Sequence, residues 1–176
     1  MNVLGAILAG GEARRFGSDK ALAMLDGVTL IDRVRAALTP QVAAVVVCGR
    51  VGGIADRPAG IGPLGGIAAA IWQARERGMD GAVTVPCDAP GLPDDLVARL
   101  AAAGGVSGGA AFVAAMPVVG YWPATLAEAV DAHVAAGGNW SIRRWAEAIG
   151  AVGVELPGAI DNVNTRADLE RIERGG

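Results

Sequence analysis

A chain of 176 residues, 52% of them hydrophobic, is long enough to bury a core without staples and too apolar for disorder. Its formal net charge of −3 leaves no broad basic face, which argues against nucleic-acid binding. No apolar run approaches the about eighteen residues needed to cross a bilayer, so the expectation is a cytoplasmic protein without membrane contact.

The opening stretch Met1–Ala9 is apolar but lacks a positive n-region, and it reads as a buried strand rather than a signal peptide. Val3–Ala9, Val42–Cys48 and Ala82–Pro86 are short, continuous runs rich in valine and isoleucine, a pattern that suits parallel strands covered on both faces. Between them, Thr29–Leu38 and Leu64–Arg77 repeat apolar residues at helical spacing, and Gly78 follows the second as a C-cap. Pro93-Asp94-Asp95 has the composition of a first helical turn. Farther on, Phe112–Ala115 and Val118–Trp122 read as strands, Thr125–Ala136 and Ser141–Ile149 as helices, and Val152–Leu156 as a last strand. Gly104–Gly109 reads as a loop, and Thr165 with Asp168 has the spacing of a capping box that opens a final helix. Alternating β and α elements imply one domain over residues 1–176, a three-layer α/β/α sandwich with a mainly parallel sheet. In such sheets ligands sit beyond the carboxyl ends of the strands.

Chemistry-bearing residues fall at those ends. Gly10 and Gly11 close the first strand and let backbone N–H groups approach a ligand, while Arg14, Arg15 and Lys20 (the only lysine) add positive charge. The loop suits a triphosphate, or is simply a solvated loop. It is no P-loop, because Ser18 and Asp19 separate Gly17 from Lys20. The Gly-x-Gly-x-x-Gly pattern at Gly60–Gly65 contains Pro63, which removes an amide that a dinucleotide site would use. Asp88 follows the third strand between Pro86 and Pro90; a lone rigid carboxylate there either binds Mg²⁺ beside a phosphate or caps a turn. Cys48 and Cys87 are too few for a disulfide framework or zinc site and read as reduced, buried thiols, and His133 reads as a helix-surface residue.

Five segments in order, Leu8-Ala-Gly-Gly11 with Asp19-Lys20, Gly62–Gly66, Pro86–Pro90 and Asp161–Thr165, resemble the molybdenum cofactor guanylyltransferase family of the nucleotidyltransferase superfamily. The resemblance implies a Rossmann-like nucleotidyltransferase fold and Mg²⁺-dependent transfer of GMP from GTP to Mo-molybdopterin. It implies Arg15, Lys20 and Asp88 as catalytic residues, with Asp88 the metal ligand. Leu8, Ala9, Gly10, Gly11, Lys20, Cys48, Asp56, Gly65 and Asp88 would bind GTP, although Cys48 stands where relatives carry an asparagine, and Asp56 reads equally as a solvated charge. Asn162 and Asn164 would meet the pterin, or they cap the last helix. Arg143 and Arg144 with Trp140 and Trp145 read either as cations and an aromatic face that hold the pterin or as a solvated face beside core residues. Met116 replaces a histidine usual in relatives. Molybdoenzymes or cofactor-insertion proteins would be transient partners. The competing readings are a molybdopterin cytidylyltransferase, whose first loop tends to read Ala-Ala-Gly, and a nucleotidyltransferase acting on another phosphorylated acceptor.

Overall fold

β1 (Val3–Leu8) is buried at all six positions, as a valine- and leucine-rich run covered on both faces should be. Its side chains alternate between two cores: Leu4, Ala6 and Leu8 face one, Val3 and Ile7 the other. The computed structural model describes residues 1–10, 20–105, 109–163 and 165–175. β1 pairs in parallel with β4 (Ala44–Cys48) on one side and β5 (Gly81–Pro86) on the other. Beyond β5, β7 (Met116–Pro123) runs antiparallel to both β5 and β6 (Ala111–Val113), and β8 (Val152–Val154) pairs in parallel with β6. The six-stranded sheet has the order β4-β1-β5-β7-β6-β8.

α2 (Pro63–Glu76), α4 (Ala127–Ala135) and α5 (Ile142–Ala148) cover one face, and α1 (Leu30–Leu38) with α3 (Leu96–Ala103) the other. The expected three-layer α/β architecture is therefore present. β7 is the exception to parallel order, because the two residues between β6 and β7 allow only a hairpin. Helix ends follow local chemistry. The Thr29 hydroxyl accepts from the Asp32 N–H at 3.2 Å, opening α1. Ahead of α6 (Arg166–Gly175), the Thr165 hydroxyl accepts from the Asp168 N–H at 3.2 Å and the Asp168 carboxylate from the Thr165 N–H at 2.8 Å, which is the expected capping box. α3 starts at Leu96 rather than at Pro93, whose carbonyl instead accepts from the Leu96 N–H at 3.2 Å in a preceding turn.

Sequence reading passed over a two-stranded hairpin, β2 (Met24–Leu25) and β3 (Val28–Thr29), closed by Asp26 and Gly27 with φ of 48° and 78°. Positive φ at both central residues gives the turn whose twist matches the strands. Leu25 and Leu30 pack there with Val163, which is fully buried. Among the described residues no helix is long and apolar enough to cross a membrane.

Candidate active site

Three strand ends are held level at one edge of the sheet. The Ala9 N–H donates to the Cys48 carbonyl at 3.0 Å, and the Cys87 N–H to the Leu8 carbonyl at 3.1 Å. Just past them the chain leaving β4 presses on the chain leaving β1. A β-carbon on Gly49 would lie 2.5 Å from Gly10 Cα, and Gly49 has a φ of 79°, so glycine is required twice over. The Asp56 carboxylate lies over this contact, with one oxygen 2.9 Å from where a Gly10 β-carbon would stand. It also borders the start of α2: β-carbons on Gly65 and Gly66 would come within 3.3 Å of Asp56 atoms. Burial raises the Asp56 carboxyl above its ordinary range, as expected for a half-buried acid.

The second group lies at the end of β5. Lys20 donates to Oδ2 of Asp88, and both side chains are 17% exposed. Oδ1 of Asp88 is buried and has no hydrogen-bond partner among the described residues. The Asp88 carbonyl accepts from the Val163 N–H at 2.9 Å, which docks the Asp161–Val163 segment against this strand end. Asn162 brings a second buried oxygen to this segment, its Oδ1, which has no hydrogen-bond partner among the described residues. Asp161 itself pairs with Arg171 at 3.4 Å.

A third group sits along the same edge at the β6–β7 turn, where Arg143 donates to the Ala114 carbonyl at 2.7 Å. Arg143 and Arg144 are exposed, Met116 is half-buried at the start of β7, and Trp145 is 1% exposed and belongs to the core. Trp140, in contrast, is 38% exposed. The half-buried His133 ring stands tilted 5.3 Å from that of Trp145.

The sequence thus places Leu8, Ala9, Gly10, Cys48, Asp56, Gly65, Lys20, Asp88 and Asn162 at one sheet edge, with Arg143 farther along it. Gly11, Arg14, Arg15 and Asn164 lie outside the described residues. Cys48 has its thiol in the core at 0% exposure, and burial followed by the nearby Asp56 charge raises it to about 12, so only its backbone faces the site. Cys87 is raised to about 11, first by burial and then by Asp88, with Lys20 and Arg50 opposing. Arg50, just past the end of β4, acts only weakly on Cys87, and sequence reading missed it together with Gly49 and Val163. The signal for the first two was the Gly-Arg pair directly after an apolar strand; Val163 carried none.

A close glycine contact at two strand ends, a lysine–aspartate pair and a spare carboxylate oxygen beyond parallel strands form an arrangement suited to phosphate chemistry. The pattern that defines the MobA-like NTP transferase domain matches residues 5–151. The chain belongs to that family. It is accordingly a nucleotidyltransferase, and the matched span takes in Gly10, Lys20, Asp56, Asp88 and Arg143. Among curated relatives, the chain is 38% identical to a molybdenum cofactor guanylyltransferase of Rhodobacter capsulatus, covering 98% of this chain and 96% of that one. It is 34% identical to a protein of the same name from Acidiphilium cryptum, covering 96% and 93%. Among solved structures, molybdopterin-guanine dinucleotide biosynthesis protein A from Archaeoglobus fulgidus superposes with a TM-score of 0.76 over 97% of each chain at 24% identity. The 2-C-methyl-D-erythritol 4-phosphate cytidylyltransferase of Thermus thermophilus reaches 0.66 over 99% of this chain and 97% of that one at 20% identity. These superpositions show the fold, and they span relatives whose names differ in both nucleotide and acceptor.

Proposed function

We propose that this MobA-like nucleotidyltransferase moves GMP from GTP to the terminal phosphate of Mo-molybdopterin, in the cytoplasm and as one domain, releasing pyrophosphate. The names of the relatives that match almost end to end support that choice of donor and acceptor. The observation that carries the chemistry is the Lys20–Asp88 pair at the end of β5. An acceptor phosphate oxygen forms a bond to the α-phosphorus of GTP while the α–β bridging bond breaks and its electrons leave with pyrophosphate. The attacking phosphate is already ionised, so alignment and relief of repulsion between two anions dominate the barrier.

Mg²⁺ fits the residues present. Lys20 occupies Oδ2 of Asp88, while Oδ1 is buried without a donor among the described residues, and such an anionic oxygen suits a hard cation that takes one or two carboxylates. When bound, the ion would offset phosphate charge next to the reacting phosphorus. Lys20 would neutralise the triphosphate as Asp88 turns to the ion, and the bare backbone at Gly10 would admit the phosphates closely. Arg15 would add a second cation. Arg143, Arg144, Asn162 and Asn164 would receive the pterin side, and molybdoenzymes or insertion proteins would take the product.

Incubation of the purified protein with Mg²⁺, a molybdopterin source and equimolar GTP, CTP and ATP, read by mass spectrometry, tests the reading. The expected product is the guanine dinucleotide. A cytosine dinucleotide, or none despite GTP binding, would overturn it. Lys20→Ala and Asp88→Ala should each lower turnover by about a hundredfold or more, as removal of one electrostatic stabiliser does. Near-native rates in either folded variant would remove that residue from the mechanism.

A further inference from the structure

The segment 49–62 that carries Asp56 is rich in glycine. It contains glycine at positions 49, 52, 53, 60 and 62, and its one β-bridge joins Ile54 to Cys48. Fixing so flexible a loop is entropically costly, and Asp56 can meet a ligand in one geometry only if something restrains the chain on both sides of it. On the β4 side the restraint is backbone: the Gly49 N–H donates to the Ile54 carbonyl and the Ile54 N–H to the Val47 carbonyl, each at 2.8 Å. On the α2 side it centres on Arg57. The Arg57 N–H donates to the Gly65 carbonyl at 2.9 Å. Its guanidinium grips Asp131 of α4 at two points, Nε to Oδ1 at 3.2 Å and Nη2 to Oδ2 at 2.9 Å. The same guanidinium lies 4.4 Å from the ring centre of Trp72 on α2, and Arg75 flanks that ring at 5.1 Å while pairing with Glu128 of α4.

An exposed ion pair contributes little to global stability, and the Arg57 and Asp131 side chains are 50% and 38% exposed. A planar fork that is also stacked on an indole does something else: it fixes direction. We propose that Arg57 is a positioning residue for the nucleotide, clamping the chain next to Asp56 onto α2 and α4 and so presetting the Asp56 carboxylate over the Gly10–Gly49 contact. This rests on Asp56 being part of the donor site. Helix α4 thereby takes part in donor binding through Asp131.

The test measures GTP affinity by calorimetry, kcat and KM for GTP, and thermal unfolding, on the full chain carrying Arg57→Ala, Asp131→Asn, both together, or Asp56→Ala. Arg57→Ala should weaken GTP binding and raise KM about three- to thirtyfold, the range in which non-contacting residues modulate binding, with kcat within about twofold. Asp131→Asn should do the same in smaller measure and keeps the proposal open to test should Arg57→Ala fold poorly. The double variant should be no worse than Arg57→Ala alone, because the two residues act as one clamp. If Asp56→Ala weakens GTP binding while Arg57→Ala and Asp131→Asn only lower the unfolding temperature, the clamp is structural and the proposal is overturned with the donor site intact. If Asp56→Ala leaves GTP binding unchanged, Asp56 lies outside the donor site, and the proposal falls with that assignment.

Discussion

Gly10 and Gly49 meet through their backbones, and this contact sets how far any ligand can settle into the sheet edge. Gly49→Ala would force a methyl group to 2.5 Å from Gly10 Cα while holding alanine at a φ of 79°. The left-handed conformation alone costs about 1–3 kcal/mol, so urea unfolding should show at least that loss, and GTP binding should weaken in the folded fraction. Cys48 gives a second test. Its thiol has an ordinary value of 9.0 and is raised to about 12 in the folded protein. Between those values the folded chain keeps a proton that the unfolded chain loses. Stability is therefore complete below about pH 9 and declines as pH rises toward about 12, and Cys48→Ala should flatten that decline in unfolding curves. Lys20 and Asp88 were legible in the sequence because residue type and place agreed: a solitary lysine after a glycine pair, and a carboxylate fixed between prolines. Val163 was not, since it serves through a backbone N–H that any residue but proline would supply.

Helices and the strands of the main sheet could be read from periodicity and caps, while the two-residue strands could not. The β2–β3 hairpin has only two residues per strand, below the length at which alternation can be recognised, although its Asp-Gly turn was visible. It matters because its Leu25 packs with Leu30 against Val163, whose N–H holds the Asp88 carbonyl, while the Ala23 N–H donates to the Lys20 carbonyl at 3.1 Å. The hairpin thus steadies both partners of the Lys20–Asp88 pair. Leu25→Ala should cost about 2–5 kcal/mol, the usual range for emptying a buried leucine site. It should also lower kcat at a temperature where the variant remains folded. A loss of stability with native kcat would show that the hairpin supports the fold alone. Pro93-Asp94-Asp95 misled in the other direction, since a composition typical of a first helical turn serves here as the turn before one.

At the scale of the molecule, the antiparallel β7 joins two parallel blocks, β4-β1-β5 and β6-β8. Hydropathy revealed the strands but not this reversal, because a buried apolar run has no direction; the two-residue turn before β7 was its only sequence signal. The junction is pinned by Thr84, a buried polar side chain in the core, whose hydroxyl donates to the Val118 carbonyl at 2.7 Å and accepts from the Trp122 indole N–H at 2.9 Å. Thr84→Val keeps the shape and strands that indole donor, at about 1–3 kcal/mol in chemical denaturation. Thr84→Ser, which keeps the hydroxyl, should lose less. Strand spacing gives the reversal one more consequence. Neighbouring strands lie about 4.8 Å apart, so the ends of β5 and β6, with β7 between them, stand about 10 Å apart. Asp88 follows the first end and the Ala114 carbonyl held by Arg143 follows the second. The sheet is in this sense a gauge: the backbone ends of β5 and β6 are set two strand spacings apart, and a molecule that meets both lies across the start of β7.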